Sequence, residues 1–136
     1  MVQEEVGRRI ASKPGTKEYS SFTLFLNFYS NPSYAFTVSK HSFYPAPKVD
    51  SAVIMLELKN PPKVSDQNAF FEMTRTAFEH RRKMLRSSLK KLYRPEIIVQ
   101  ALETIGCNPQ ARPEELSVEE FLKLFELTSQ LENKKS

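Results

Sequence analysis

The 136-residue chain carries 20 Lys and Arg against 16 Asp and Glu, a net charge of +4 at pH 7, and 40% hydrophobic residues with 10 Phe and 5 Tyr, which suits a folded core and not a disordered segment. One cysteine, Cys107, excludes an internal disulfide framework, and two widely separated histidines, His41 and His80, with no second cysteine argue against a structural zinc site. No apolar run approaches a membrane span and MVQEEVGRRI lacks the apolar core of a signal peptide, so a reducing cytoplasm and no membrane are expected.

In chain order, a short strand is predicted from Met1 to Glu5, then a helical turn ending near Ser12 and a turn at KPGTKE, residues 13–18. SSFTLFLNFYS is ambiguous: Phe22, Leu24, Leu26 and Phe28 alternate as in a strand, while Phe22, Phe25, Leu26 and Tyr29 keep helical spacing. Ser33 to Val38, bounded by Asn31-Pro32 and Lys40, reads as a strand. Val53, Ile54, Met55, Leu56 and Leu58 form another, short and apolar enough to be covered on both faces.

Two prolines in NPPKVS, residues 60–65, end that strand, and Ser65 with Asp66 can cap a helix, so the chain is expected to divide into 1–59, a linker at 60–65 and a helical part at 66–136. A helix or helix pair is predicted from about Asp66 to Tyr93, with HRRK at 80–83 able to hold a kink. Pro95 suits a first helical position, Ile97, Ile98, Ala101, Leu102 and Ile105 form a stripe, and Gly106 can end it. CNPQARPEEL reads as a loop. Ser117 and Glu120 form a capping box for a last amphipathic helix through Phe121, Leu124, Phe125, Thr128 and Leu131, followed by a polar, frayed tail.

Two segments invite function. In FYPAPKVDSAV, Pro45 and Pro47 each fix φ and push the preceding residue toward extended backbone, so residues 44–48 are expected to form a stiff extended lead-in that holds its rings in place. Phe43 and Tyr44 either cap the core or form a platform for a planar ligand. The second segment is residues 75–94, where Arg75, Arg81, Arg82, Lys83, Arg86, Lys90, Lys91 and Arg94 face a single Glu79, eight charges against one. On a helical wheel Phe78, Leu85, Leu89 and Leu92 share a stripe, while Arg75, Arg82, Lys83, Arg86 and Lys90 fan along one flank. Such a run is either a solvated face or a phosphate-binding one, since guanidinium groups pair with phosphate oxygens bidentately. A glycine-rich nucleotide loop, a nucleophile elbow and an HExxH motif are all missing, which describes a binding unit.

MVQEEVGRRIASKPGTKEYSSFTLFLNFYS, FTVSKHSFYPAPKVDSAVIMLEL, AFEHRRKMLRSSLKKL and ARPEELSVEEFLKL together resemble the C-terminal half of the bacterial small-subunit ribosomal RNA adenine N6,N6-dimethyltransferases, over nearly the whole chain and in the family's order. The resemblance implies an α/β plus all-α chain: the last three strands of a Rossmann-like, S-adenosylmethionine-binding sheet, followed by a small helical RNA-contacting domain. It favours a helix over Tyr19 to Tyr29. It implies that the methyl-donor loop and the catalytic Asn-Leu-Pro-Tyr motif lie upstream of this chain, which alone is then inactive and binds no cofactor tightly. Phe43 is implied as the ring that stacks on an extruded adenine, worth roughly 1–3 kcal/mol, held by a substrate loop of Tyr44, Pro45, Pro47 and Lys48. Arg75, Arg81, Arg82, Lys83, Arg86 and Lys90 are implied as RNA contacts, with small-subunit rRNA or a pre-30S particle as partner and the uncovered sheet edge open to self-association. Glu4, where a lysine is common, and Ser87-Ser88, in place of an asparagine pair, depart from the family's pattern. A non-catalytic relative resembling the mitochondrial transcription factor B group is the alternative.

Overall fold

A computed structural model describes residues 1–135, with side chains as far as Glu132. The chain forms two compact units, one from Met1 to Pro61 and the other from Pro62 onward.

In the first unit the opening strand is shorter than its sequence suggests. Strand β1 is only Val2–Gln3, and helix α1 begins at Glu4 and runs to Ile10. Charge decides the boundary. Glu4 and Glu5 occupy the first helical turn and Arg8 and Arg9 the last, matching the helix dipole, and the Arg8 Nη2 lies 2.9 Å from Glu4 Oε1 across one turn. The ambiguous segment is helical: α2 spans Ser21–Tyr29. Its start carries the local signal that periodicity lacks, because Ser20 Oγ accepts the Thr23 N–H while Thr23 Oγ1 accepts the Ser20 N–H. Thr23 also donates to the Arg9 carbonyl at 2.7 Å, which fastens α2 to the end of α1.

Strand β2 runs Ser30–Val38, starting before Pro32 instead of after it, and β3 runs Ser51–Leu58. The sheet order is β1-β3-β2, all antiparallel, with β3 in the centre. Pro32 is tolerated because β2 is an edge strand of this sheet, where an absent backbone donor costs no ladder bond on the open side. A bulge between Tyr34 and Phe36 shifts the register, so that Phe36 pairs with Val53 and Tyr34 with Ile54. The expectation that β3 is covered on both faces does not hold in this chain. Ala52 is fully buried, yet Met55 and Leu58 are 63% and 80% exposed, and Phe36 is exposed across from Val53. Nor is the lead-in to β3 extended throughout. The chain makes a 3-10 turn at Lys40–Ser42, bends at 43–45 and 48–49, and holds a cis peptide bond between Tyr44 and Pro45.

The second unit is built from helices α3 (Gln67–Glu79), α4 (Leu85–Ser88), α5 (Pro95–Thr104) and α6 (Val118–Lys135). Asp66 caps α3 through the Ala69 N–H, while Ser65 donates its backbone and hydroxyl to Glu126 Oε1 on α6. Phe70, Met73 and Ala77 of α3 are buried with Leu85, Leu89, Ile97, Ile98, Leu102, Leu116, Phe121 and Leu124, and the Phe70 and Phe125 rings meet edge-on at 5.7 Å. The capping box at Ser117 and Glu120 is made in both directions. Helix α6 continues to Lys135, so the polar end is helical where a frayed tail was expected.

The first helix of the predicted helix or helix pair ends just before HRRK, the segment read as able to hold a kink. It stops at Glu79, turns through His80 to Met84, and resumes for one turn at Leu85. The Leu85 N–H, which a continuous helix would give to the Arg81 carbonyl, donates instead to the Ala111 carbonyl at 2.8 Å. The break buries both Leu85 and Leu89 fully and leaves Arg86, the one arginine between them, half-buried.

Close approach at Gly7 makes one sharp expectation about the first unit. A Cβ there would lie 2.7 Å from Ala52 Cβ and 3.1 Å from Ile54 Cδ1, and neither a methyl on β3 nor the α1 backbone can step aside cheaply. Overpacking of about 1–3 kcal/mol outweighs the helix-propensity gain of about 1 kcal/mol. Gly7→Ala is therefore expected to lower the denaturant midpoint, and an unchanged or raised midpoint would contradict the packing.

Candidate nucleic-acid interface

The first unit presents a ring-bearing loop between β2 and β3. Its base is closed by Asp50, whose Oδ1 accepts the Lys40 N–H at 2.8 Å and whose carbonyl accepts the Glu4 N–H at 3.0 Å. The Ser42 N–H returns to the Ser39 carbonyl and the His41 N–H to Ser39 Oγ, closing the turn that precedes the rings. On this frame Phe43 is half-buried, whereas Tyr44 is fully exposed and Pro45, Pro47 and Lys48 stand in solvent.

The second unit holds the cations. Arg82, Lys83 and Lys90 line one open groove of about 470 Å³ together with Met84, Ser87, Gln110 and Arg112, and no carboxylate shares that lining. Three of the expected RNA-contacting residues are thus brought together and three are not. Arg75 is exposed on α3, its Nε near its own helix's Phe71 carbonyl, and Arg86 is half-buried on α4. Arg81 pairs with Glu114, its Nη2 lying 3.0 Å from Oε2. Lys91 pairs with Glu79 at the same distance. Opposite charges thus arrive from 33 and 12 residues away, out of reach of a search for partners one turn distant.

Arg112 is the functional candidate that the sequence did not disclose. It sits in a loop rich in Pro and Glu, isolated from the basic run, and reaches the groove where the Leu85 to Ala111 hydrogen bond joins the two segments. No local pattern announces it. Cys107, the single thiol, is no nucleophile: burial and its hydrogen bond to Glu120 Oε2 push it up to about 11, so thiolate is scarce near neutral pH. The Ser117 backbone N–H in turn holds the Glu120 carboxyl below the usual carboxylate range. Among the described residues there is no cluster suited to a metal, and no helix is long and apolar enough to cross a membrane.

The chain matches the crystal structure of a dimethyladenosine transferase from Plasmodium falciparum with a TM-score of 0.79 at 21% identity, over 94% of this chain and 55% of that one. It matches the 23S rRNA methyltransferase ErmE with a TM-score of 0.64 at 25% identity, over 94% of this chain and 52% of that one. The chain belongs to the ribosomal RNA adenine dimethylase family, whose sequence profile matches residues 1–130. It is 66% identical over 125 residues to the ribosomal RNA small subunit methyltransferase A of Protochlamydia amoebophila, covering 92% of this chain and 44% of that protein. Identity to the proteins of the same name is 47% in Chlamydia muridarum, over 93% of this chain and 47% of that protein, and 46% in Chlamydia felis, over 95% and 46%. The chain therefore spans less than half the length of these curated relatives.

The three glycines among the described residues stand apart in the chain. Gly7 is packed inside the first unit against Ala52 and Ile54, while Gly15 and Gly106 stand singly in turns at φ +88° and +83° with nothing packed on them. Among the described residues no glycine-rich turn follows a strand.

Proposed function

We propose that this chain is the RNA-contacting C-terminal portion of an S-adenosylmethionine-dependent dimethyltransferase that modifies N6 of two adjacent adenines near the 3′ end of small-subunit rRNA, in the cytoplasm and on free rRNA or a pre-30S particle. In this reading the first unit supplies the last strands of a Rossmann-like sheet and the second grips RNA. The observation that carries it is the groove of Arg82, Lys83, Lys90 and Arg112 in a member of an rRNA adenine dimethylase family. Four cations without a carboxylate suit a phosphate backbone, whose contacts position an RNA without specifying its sequence. Arg75 and Arg86 extend the same field. The enzymatic reading is preferred to a non-catalytic transcription-factor relative because bacterial relatives at 46–66% identity carry the name of a small-subunit methyltransferase.

The loop of Phe43, Tyr44, Pro45, Pro47 and Lys48 is assigned to the target base. Phe43, half-buried and so already ordered, offers a ring face at little entropic cost, with Lys48 exposed beside it for a phosphate. Chemistry in the complete enzyme is then mainly positioning, since the amine must be extruded and held before it can react.

Measured on this chain with a structured RNA hairpin, log affinity is expected to fall linearly with log salt. Replacing Arg82 and Lys90 together by Gln should make the slope shallower by about 0.7–0.9 per lost contact; an unchanged slope would return the groove to an ordinary solvated face.

By itself the purified chain is expected neither to bind S-adenosylmethionine in the micromolar range by calorimetry nor to transfer a methyl group to RNA. Either result would place a donor site in residues that do not resemble one.

The exposed Phe36, Met55 and Leu58 on the sheet suggest self-association of the chain. Sedimentation should reveal concentration-dependent dimers or larger species, and a monomer at every concentration would count against this.

A further inference from the structure

Two neighbours in the basic run face different environments. Arg82 lines the groove, while Arg81 is outside its lining and holds Glu114 at 3.0 Å. The pair is shielded, with side-chain exposures of 37% and 26%, against 60% and 50% for the Lys91–Glu79 pair. Its partners belong to the two segments that form the groove's walls: Arg81 in the turn after α3, Glu114 in the 3-10 turn Pro113–Glu115. A second tie between these segments is the Leu85 to Ala111 backbone hydrogen bond, and Arg82, Lys83 and Met84 on one side and Gln110 and Arg112 on the other flank it in the groove.

We infer that Glu114 is a positioning residue: by binding Arg81 it seats the 80–84 turn against the 110–115 segment and so aims Arg82, Lys83, Lys90 and Arg112 together, Arg81 serving as a strut and not as a phosphate ligand. The inference rests on the RNA-contacting reading above. A phosphate approaching Arg81 would have to displace a carboxylate already in place, and the liberated Glu114 would repel it. Arg82, one residue on, has no such competitor in the groove.

The two roles of Arg81 predict opposite signs. If Arg81 is a phosphate ligand restrained by Glu114, then Glu114→Gln frees it, tightens RNA binding and steepens the salt dependence. If Arg81 is a strut, Glu114→Gln weakens binding although a negative charge has been removed, and leaves the salt slope unchanged because the number of neutralised phosphates is the same.

The experiment titrates a short RNA hairpin against the full chain and its variants across a salt series. Glu114→Gln is expected to weaken binding roughly two- to fivefold, the range of a partly exposed ion pair, at constant slope. Glu119→Gln, which removes an exposed charge from α6, serves as the control and should leave affinity unchanged or slightly tighter. The exchanged pair Arg81→Glu with Glu114→Arg should restore affinity to within about twofold of the original, since it rebuilds the tie. Tighter or unchanged binding by Glu114→Gln, a steeper slope, or failure of the exchanged pair to restore affinity would each overturn the inference. Failure of the RNA reading itself is seen separately: Arg82→Gln with Lys90→Gln would then leave the slope unmoved, whatever Glu114 does.

Discussion

The hydrogen bond from the Leu85 N–H to the Ala111 carbonyl is the constraint on which the second unit's surface depends. An amide at that position ordinarily continues a helix by bonding four residues back. Giving it to a loop 26 residues onward keeps α4 from joining the ladder that α3 left at Glu79, holds the Asn108 to Arg112 turn against α4, and leaves a groove where a continuous helix would offer a convex face. Both partners are removed from water, Leu85 and Ala111 being buried, so the bond is sheltered from competition that would weaken it at the surface.

Electrostatics and burial are reconciled by the same break. A continuous helix would stack Arg82, Arg86 and Lys90 one turn apart on one face, and like charges at that spacing cost about as much as opposite ones gain, a few tenths of a kcal/mol each. In the broken arrangement Leu85 and Leu89 enter the core, Arg86 is half-buried, and Arg82 and Lys90 turn to the groove with Arg112. The remaining repulsion among groove cations is a feature that a polyanion would relieve. A charge cluster unfavourable to the free protein is favourable to the complex by that margin.

What could be read from the sequence follows the range over which each signal acts. The helices at 95–104 and 118–135 were legible because their determinants are local: Pro95 at the first position, Gly106 at positive φ after the end, and the Ser117–Glu120 capping box. The start of α1 turns on charge against β-propensity: Glu4 with Arg8 and Glu5 with Arg9 stand at helical spacing, a signal that a strand over Met1 to Glu5 leaves out. Pro32 reads as a boundary in the sequence and puts the expected start of β2 too late, until the strand is known to lie at an edge. Of the candidate site, Arg82, Lys83 and Lys90 could be found from composition, but Arg112 and the Arg81–Glu114 pair could not, since each depends on a fold that brings together residues some 30 positions apart. Long-range pairing leaves no periodic trace in one sequence.

The ring-bearing loop shows a different use of constraint. Pro45 and Pro47 supply no backbone donors, so the loop cannot extend the sheet into the space where its rings stand. Order must come from its ends, and it does: Asp50 holds Lys40 through its carboxylate and Glu4 through its carbonyl, tying the loop at once to β3 and to the first turn of α1. In the function proposed above, a base stacking on such a platform would meet a surface already fixed, leaving more of the stacking energy for holding the base out of its helix. Between the two rings the distinction is one of support. Tyr44 is fully exposed, whereas Phe43 keeps part of its surface against the protein and follows directly on the closed turn. A ring anchored on one side and open on the other can receive a planar partner without first losing rotational freedom, and this favours Phe43 over its more visible neighbour.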